Sequence, residues 1–162
     1  MRSDSTMRRV AGSNQCHLEQ TVLAGEGGKY RTSASGETWA GFIPLTMKSR
    51  MSSQRGIIES VLKAVAIDKT VGKPFPLTAG ETFGWSVSYE GLNNSTDIAR
   101  YGQDWSCTVG ASAPASTSIP GMTGEQTEVK CRLSFVSLPA PPQDQVFVWY
   151  DAAGCFMQDP NR

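Results

Sequence analysis

The sequence is 162 residues long, and 15 Lys and Arg balance 15 Asp and Glu to a formal net charge of +0. That balance excludes a nucleic-acid or anionic-membrane binder driven by clustered cations, and no apolar run approaches the eighteen residues of a transmembrane helix. Hydrophobic residues at 39% suffice for one core, while 16 Gly and 9 Pro among many Ser and Thr point to strands and turns.

Taken in chain order, residues 1 to 35 are polar and rich in Gly and Ser, with one apolar interruption at Thr21-Val22-Leu23. This reads as a loosely ordered N-terminal arm carrying one short strand, followed by a single β-rich domain over residues 36 to 162. Arg2, Arg8 and Arg9 near the start are not followed by the apolar stretch of a secretory signal. Trp39, Phe42, Ile43 and Leu45 form the first apolar cluster, and Pro44 within it suits an edge strand.

Ile57, Ile58, Val61, Leu62 and Val65 recur at helical spacing behind Ser52 or Ser53 as N-cap, with Gly72 and Pro74 beyond. The spacing predicts a helix over about 53 to 67, the only one expected, although the segment is rich in β-branched residues.

From residue 80 the period becomes two. Phe83, Trp85, Val87 and Tyr89 share one face of a strand, and a turn follows at Gly91-Leu92-Asn93-Asn94. A second strand places Trp105, Cys107 and Val109 together. Residues 110 to 124 read as a loop, after which Val129, Cys131, Leu133 and Phe135 share a face. In the last strand Val146, Val148 and Tyr150 alternate with Phe147 and Trp149, so both sides are apolar, as under a helix or inside a curled sheet. The expected fold is mainly β: an antiparallel sheet curled into a half-barrel or a sandwich, with at most one helix.

The four cysteines are widely spaced and include no Cys-x-x-Cys pair, which disfavours a structural zinc site and favours two disulfides in an oxidising compartment. Buried free thiols are the other reading. Cys107 and Cys131 lie on the apolar faces of neighbouring strands, where antiparallel pairing brings opposite Cα atoms within disulfide range. Cys16 and Cys155 are then left to pair.

The second half resembles a loosely defined group of bacterial cell-envelope domains of unknown function. Phe75-Pro76-Leu77-Thr78-Ala79-Gly80-Glu81-Thr82-Phe83 is similar to their Pro-Leu-x-x-Gly-x-x-aromatic opening strand. Trp105-Ser106-Cys107-Thr108-Val109, Ile119-Pro120-Gly121 and Val129-Lys130-Cys131-Arg132 resemble their paired-cysteine hairpin, and Val148-Trp149-Tyr150-Asp151-Ala152-Ala153-Gly154 resembles their closing strand. The likeness covers about half the chain and implies an exported, β-rich module, periplasmic or secreted. Cys155 is an addition to that pattern.

Four local patterns invite a catalytic or ligand reading. Cys16-His17 sets a thiol beside the one imidazole, but neighbours in an extended chain point to opposite faces. Ser60-Val61-Leu62-Lys63 matches the Ser-x-x-Lys of penicillin-recognising enzymes without the companion motifs, and a solvated helix face is the plainer reading. Gly25-Glu26-Gly27-Gly28-Lys29 lacks the Ser or Thr and the helix of a phosphate loop. Asn93-Asn94-Ser95-Thr96 holds two glycosylation sequons, meaningful in a eukaryotic source. Glu81, Glu90, Asp97 and Asp104 are scattered, and no acid and nucleophile pair can be assigned.

The aromatic residues Trp85, Tyr89, Trp105, Trp149 and Tyr150 are expected chiefly as core, with a groove for an apolar or glycan ligand as the sharper alternative. No catalytic residue, metal ligand or cofactor is assigned. The expected function is a non-enzymatic binding or interaction domain of the cell envelope, with another envelope protein or an apolar ligand as partner. A carrier of a lipid or other apolar molecule is the alternative, and a small hydrolase-like enzyme the third reading.

Overall fold

The computed structural model describes residues 2–24, 30–53, 56–93, 97–136 and 139–158. Ten antiparallel strands follow one another: β1 (Arg2–Arg9), β2 (Gln15–Ala24), β3 (Tyr30–Trp39), β4 (Ile43–Ser53), β5 (Gly56–Val71), β6 (Thr82–Asn93), β7 (Asp97–Pro114), β8 (Glu125–Phe135), β9 (Gln143–Tyr150) and β10 (Cys155–Gln158). Their order in the sheet is their order in the chain. The one helical element among the described residues is a 3-10 turn at Ala115–Thr117. The protein is therefore mainly β and antiparallel. Two compact units divide it, one of residues 1–64 with 89–100 and the other of residues 65–88 with 101–162, so that β5, β6 and β7 contribute to both.

In the first unit, residues expected as a loose arm form β1, β2 and most of β3. Ser, Thr and Gly in Tyr30–Trp39 give little apolar alternation, yet β3 is an interior strand with ladders to β2 and β4. Backbone pairing on both sides holds it where side chains alone offer little. Packing is concentrated at one end, where Cys16, Thr38, Ala40, Phe42 and Ile43 are buried. The Thr38 hydroxyl donates to the Cys16 carbonyl at 3.0 Å. The chain reverses between β3 and β4 through Ala40 and Gly41, both at positive φ, and the Ala40 N–H donates to the Asn14 carbonyl at 2.6 Å. The Trp39 and Phe42 rings meet edge to face across this turn, 5.9 Å apart.

Pro44 lies in an interior strand rather than at an edge. The register between β3 and β4 shifts at Glu37/Thr38, where Leu45 is passed over, and the β4–β5 ladder begins only at Thr46. A proline is tolerated there because no β5 residue pairs with it and its pairing to Thr38 of β3 falls at the register shift.

Among the described residues, the expected helix over 53 to 67 is strand throughout: Ser53 ends β4 and residues 56 to 67 belong to β5. Thr46 through Ser53 pair with Lys63 back to Gly56 in an unbroken antiparallel ladder. Apolar residues at 57, 58, 61, 62 and 65 satisfy a helical template, but they also populate both faces of a strand. The run of Ile and Val, stiff at χ1, favours the extended chain once β4 offers a partner.

In the second unit the period-two reading holds. Phe83, Trp85 and Val87 of β6, Trp105, Cys107 and Val109 of β7, and Val129, Cys131 and Leu133 of β8 are all buried, while Ser106, Thr108, Lys130 and Arg132 are exposed. Phe147 of β9 pairs with Val129 and joins this face, and Trp149 pairs with Thr127. Thr127 is buried with its hydroxyl 2.8 Å from that of Ser112. β7 extends past the expected loop to Pro114, with a register shift between Val109 and Ser112. In the first unit, β6 likewise runs on to Asn93, past the expected turn at Gly91.

Cys107 and Cys131 are direct partners in the β7–β8 register and form a disulfide. Cys16 and Cys155 are also disulfide-bonded, and no cysteine is free.

Candidate functional site

The aromatic residues singled out in the sequence are packed rather than presented. Trp85, Trp105 and Tyr150 of the second unit are 6%, 5% and 7% exposed, and Tyr89 of the first unit is 1% exposed. Trp85 lies 5.1 Å from Phe83, and Trp105 lies 6.0 Å from Phe147, by ring centroids. Trp149 is half-buried, 4.9 Å from Phe75 and 5.0 Å from Phe156. These separations are those of aromatic rings in contact, so the rings fill the space between one another.

Phe75 brings the connection between β5 and β6 onto this cluster. Two positive-φ glycines, Gly72 and Gly80, turn the connection. At Gly72 only glycine fits, because a Cβ would collide with the Thr82 carbonyl. The far end is pinned to β7: Gly80 N–H donates to the Val109 carbonyl, and Val109 N–H donates to the Glu81 carbonyl, both at 2.9 Å. Between these anchors lies a depression of about 450 Å³ lined by Lys73, Phe75, Pro76, Thr78, Glu81 and Thr82. Its volume is that of a small-ligand site. An aromatic ring and a proline supply the apolar surface, and one cation, one carboxylate and two hydroxyls surround them. Such a lining can stack against an apolar or sugar face and exchange hydrogen bonds at its rim.

The resemblance implies an opening strand over residues 75 to 83, whereas β6 begins only at Thr82, and the residues before it line the depression. The available signal was Lys73-Pro74-Phe75-Pro76, an aromatic residue between two prolines where backbone pairing is weak.

A second depression, about 310 Å³, lies over β6, β7 and β8 and is lined by Trp85 and Trp105, two of the expected ligand-binding aromatics, together with Ser86, Asp104, Ser106, Arg132 and Ser134. The Ser86 hydroxyl donates to Asp104 Oδ1 at 2.6 Å, and Arg132 stands 3.5 Å from Asp144.

The remaining patterns separate in space. Cys16 is buried in a disulfide, while His17, on the opposite side of β2, has Nε2 3.4 Å from Glu19. Ser60 and Lys63 point to opposite faces of β5, because three residues along a strand reverse direction. The Ser60 hydroxyl instead meets that of Ser49 at 2.6 Å. Glu81 lines the larger depression, and Glu90 pairs with Arg100 at 2.9 Å. Residues 25 to 29, with their glycine-rich pattern, and 94 to 96, with most of the sequons, lie outside the described residues, as does the Asp97 side chain. Among the described residues no three His, Cys, Asp or Glu side chains converge as a metal site, and no helix is long and apolar enough to cross a membrane. In comparisons with known proteins, no family model, curated protein or solved structure matches the chain.

Proposed function

We propose that the protein is a binding or interaction module of an extracytoplasmic compartment, in the manner of an exported cell-envelope domain, periplasmic or secreted. The observation that carries this reading is the oxidised state of all four cysteines, with Cys107–Cys131 built into the buried face of the β7–β8 hairpin. Structural disulfides of this kind persist where thiols are not continually reduced. The resemblance of residues 75 to 154 to bacterial envelope domains supports the same compartment. For binding, the depression around Phe75 is the surface with the right chemistry, since its aromatic floor is fixed by Trp149 and Phe156 while its rim is polar.

Carriage of a lipid or other apolar molecule inside the sheet has less support, because the aromatic face of the second unit is occupied by its own rings. Native mass spectrometry of freshly purified, oxidised protein separates the two. The binding-module reading expects the mass of the chain alone. A co-purifying apolar species that raises thermal stability and is lost on organic extraction would overturn it in favour of the carrier.

A further inference from the structure

The connection between β5 and β6 closes on itself. Gly72, just after β5, lies so near Thr82, the first residue of β6, that a Cβ on it would meet the Thr82 and Phe83 backbone. Compact loops whose ends touch in this way are packed by their own side chains and are frequently functional. Inside the loop the Glu81 N–H donates to the Thr78 carbonyl at 3.0 Å, and the Gly80 N–H is engaged by the Val109 carbonyl. Phe75 is half-buried, with Trp149 and Phe156 behind it, and Lys73, Pro76, Thr78, Glu81 and Thr82 around it are exposed. None of the four polar side chains in this lining takes part in an ion pair or a side-chain hydrogen bond among the described residues.

That lining discriminates between ligand classes. An apolar ligand filling about 450 Å³ would strip water from four polar side chains and offer them no hydrogen bond in return. An anion would find Lys73 as its one cation and the Glu81 carboxylate in the same lining. The N–H groups of Gly80 and Glu81, which could otherwise cradle an anion, are already donated to carbonyls. A cation is opposed by Lys73 in the same way. A neutral polyhydroxyl ligand meets none of these penalties. Each of its hydroxyls both donates and accepts, so Lys73 can donate to it, Glu81 can accept from it, and the two threonines can do either. The C–H face of a sugar ring then lies on Phe75, whose position is fixed by the rings behind it.

We propose that the depression around Phe75 binds a neutral hexose unit, free or within a glycan, with Phe75 as the stacking platform and Lys73 and Glu81 as the donor and acceptor at its rim. The assignment rests on the reading of this depression as the binding surface and names the ligand class for it. A ligand held by one ring face and a few hydrogen bonds on an open surface exchanges freely, in keeping with purification of the chain alone.

Amide chemical shifts of the isotope-labelled, oxidised full chain, titrated with glucose, galactose, mannose, N-acetylglucosamine and their oligosaccharides, test the proposal. Shifts are expected at residues 72 to 82 with at least one of these sugars, and the affinity should not fall in high salt. An oligosaccharide that binds more tightly than its monomer assigns the site to a glycan, and equal affinity assigns it to the free sugar. Lys73→Ala and Glu81→Ala should each weaken binding by about tenfold, as expected for one lost hydrogen bond to a charged group. Their thermal midpoints should stay that of the parent, because neither side chain has a partner in the fold. Phe75→Leu, which keeps an apolar side chain and removes the flat face, should weaken binding as well. If the Lys73 and Glu81 variants change affinity in opposite directions, the ligand is charged, and the sugar assignment falls while the depression remains a binding surface. Free amino acids that bind at the same residues in place of any sugar, and are released by salt, would have the same effect. Shifts confined to other parts of the chain, or no shifts with any sugar or amino acid, would overturn the depression as the binding surface together with its ligand. The extracytoplasmic reading is judged apart from all of these, by the state of the cysteines.

Discussion

Cys107 and Cys131 face each other across the β7–β8 ladder with Cα atoms 4.0 Å apart, and each is almost fully buried. The bond thus joins two strands that the sheet already pairs, within the face that forms the core of the second unit. Its contribution comes chiefly from the unfolded chain, where it closes a loop of sequence separation 24. The chain-entropy relation gives about 3.5 kcal/mol for such a loop. Joint replacement Cys107→Ala and Cys131→Ala should therefore lower the unfolding free energy by about 3 to 4 kcal/mol in urea titrations. A loss under about 1 kcal/mol would show that the bond is incidental to stability.

Behind the depression, Trp149 and Phe156 pack against Phe75 and fix the floor that it presents. Phe156 is fully buried and lies within ring contact of both others. Phe156→Ala should cost about 3 to 5 kcal/mol. Its urea midpoint should fall accordingly, and the Trp149 environment should become more polar by fluorescence. Little change in midpoint would mean that the rings are not packed as described.

Close approach of β3 and β4 gives a third expectation. A Cβ at Gly36 would collide with the Thr46 carbonyl and with backbone and side-chain atoms of Met47. Because two of these are ladder backbone, a side-chain shift cannot relieve them all. Gly36→Ala should destabilise by about 1 to 3 kcal/mol, read as a lower thermal midpoint with the disulfides intact. An unchanged midpoint would contradict the register at this site.

Burial pushes the Tyr101 phenol above its ordinary value of 10.0. The folded chain then holds that proton more tightly than the unfolded chain does. Its contribution is complete below pH 10 and declines as pH rises through the folded value. Ultraviolet titration of the parent against the Tyr101→Phe variant should assign to Tyr101 a phenol that ionises later than in the unfolded chain. The Tyr101→Phe variant should lose less stability at alkaline pH than the parent. A phenol at Tyr101 that titrates at or below its ordinary value would contradict its burial.

How much of this was legible depended on whether side chains or partners decide the element. In β6, β7 and β8 the apolar residues alternate strictly, so the sequence alone places Trp85, Trp105, Cys107, Cys131 and Leu133 on buried faces. The pairing of Cys107 with Cys131 follows from that phase. β5 carries apolar residues on both faces, and two periods then fit one run; β4 as a neighbour decides between them. β3 has almost no apolar pattern, because an interior strand can be held by backbone bonds on both sides. The depression around Phe75 was illegible for another reason. It depends on Trp149 and Phe156, far along the chain, standing behind Phe75, and no local motif announces such a long-range contact. The Ser60 and Lys63 pattern, set aside already in the sequence for want of companion motifs, has no shared face in the fold, because its chemistry presumes a helix and β5 is a strand.

The central claim is that the chain is an oxidised, extracytoplasmic module whose fold is stapled by its cysteines. Intact mass after alkylation, with and without prior reduction in denaturant, tests it most directly on protein isolated from its native compartment. The account predicts no alkyl groups on the unreduced chain and four after reduction, one for each cysteine. Four alkyl groups on the unreduced chain would contradict it.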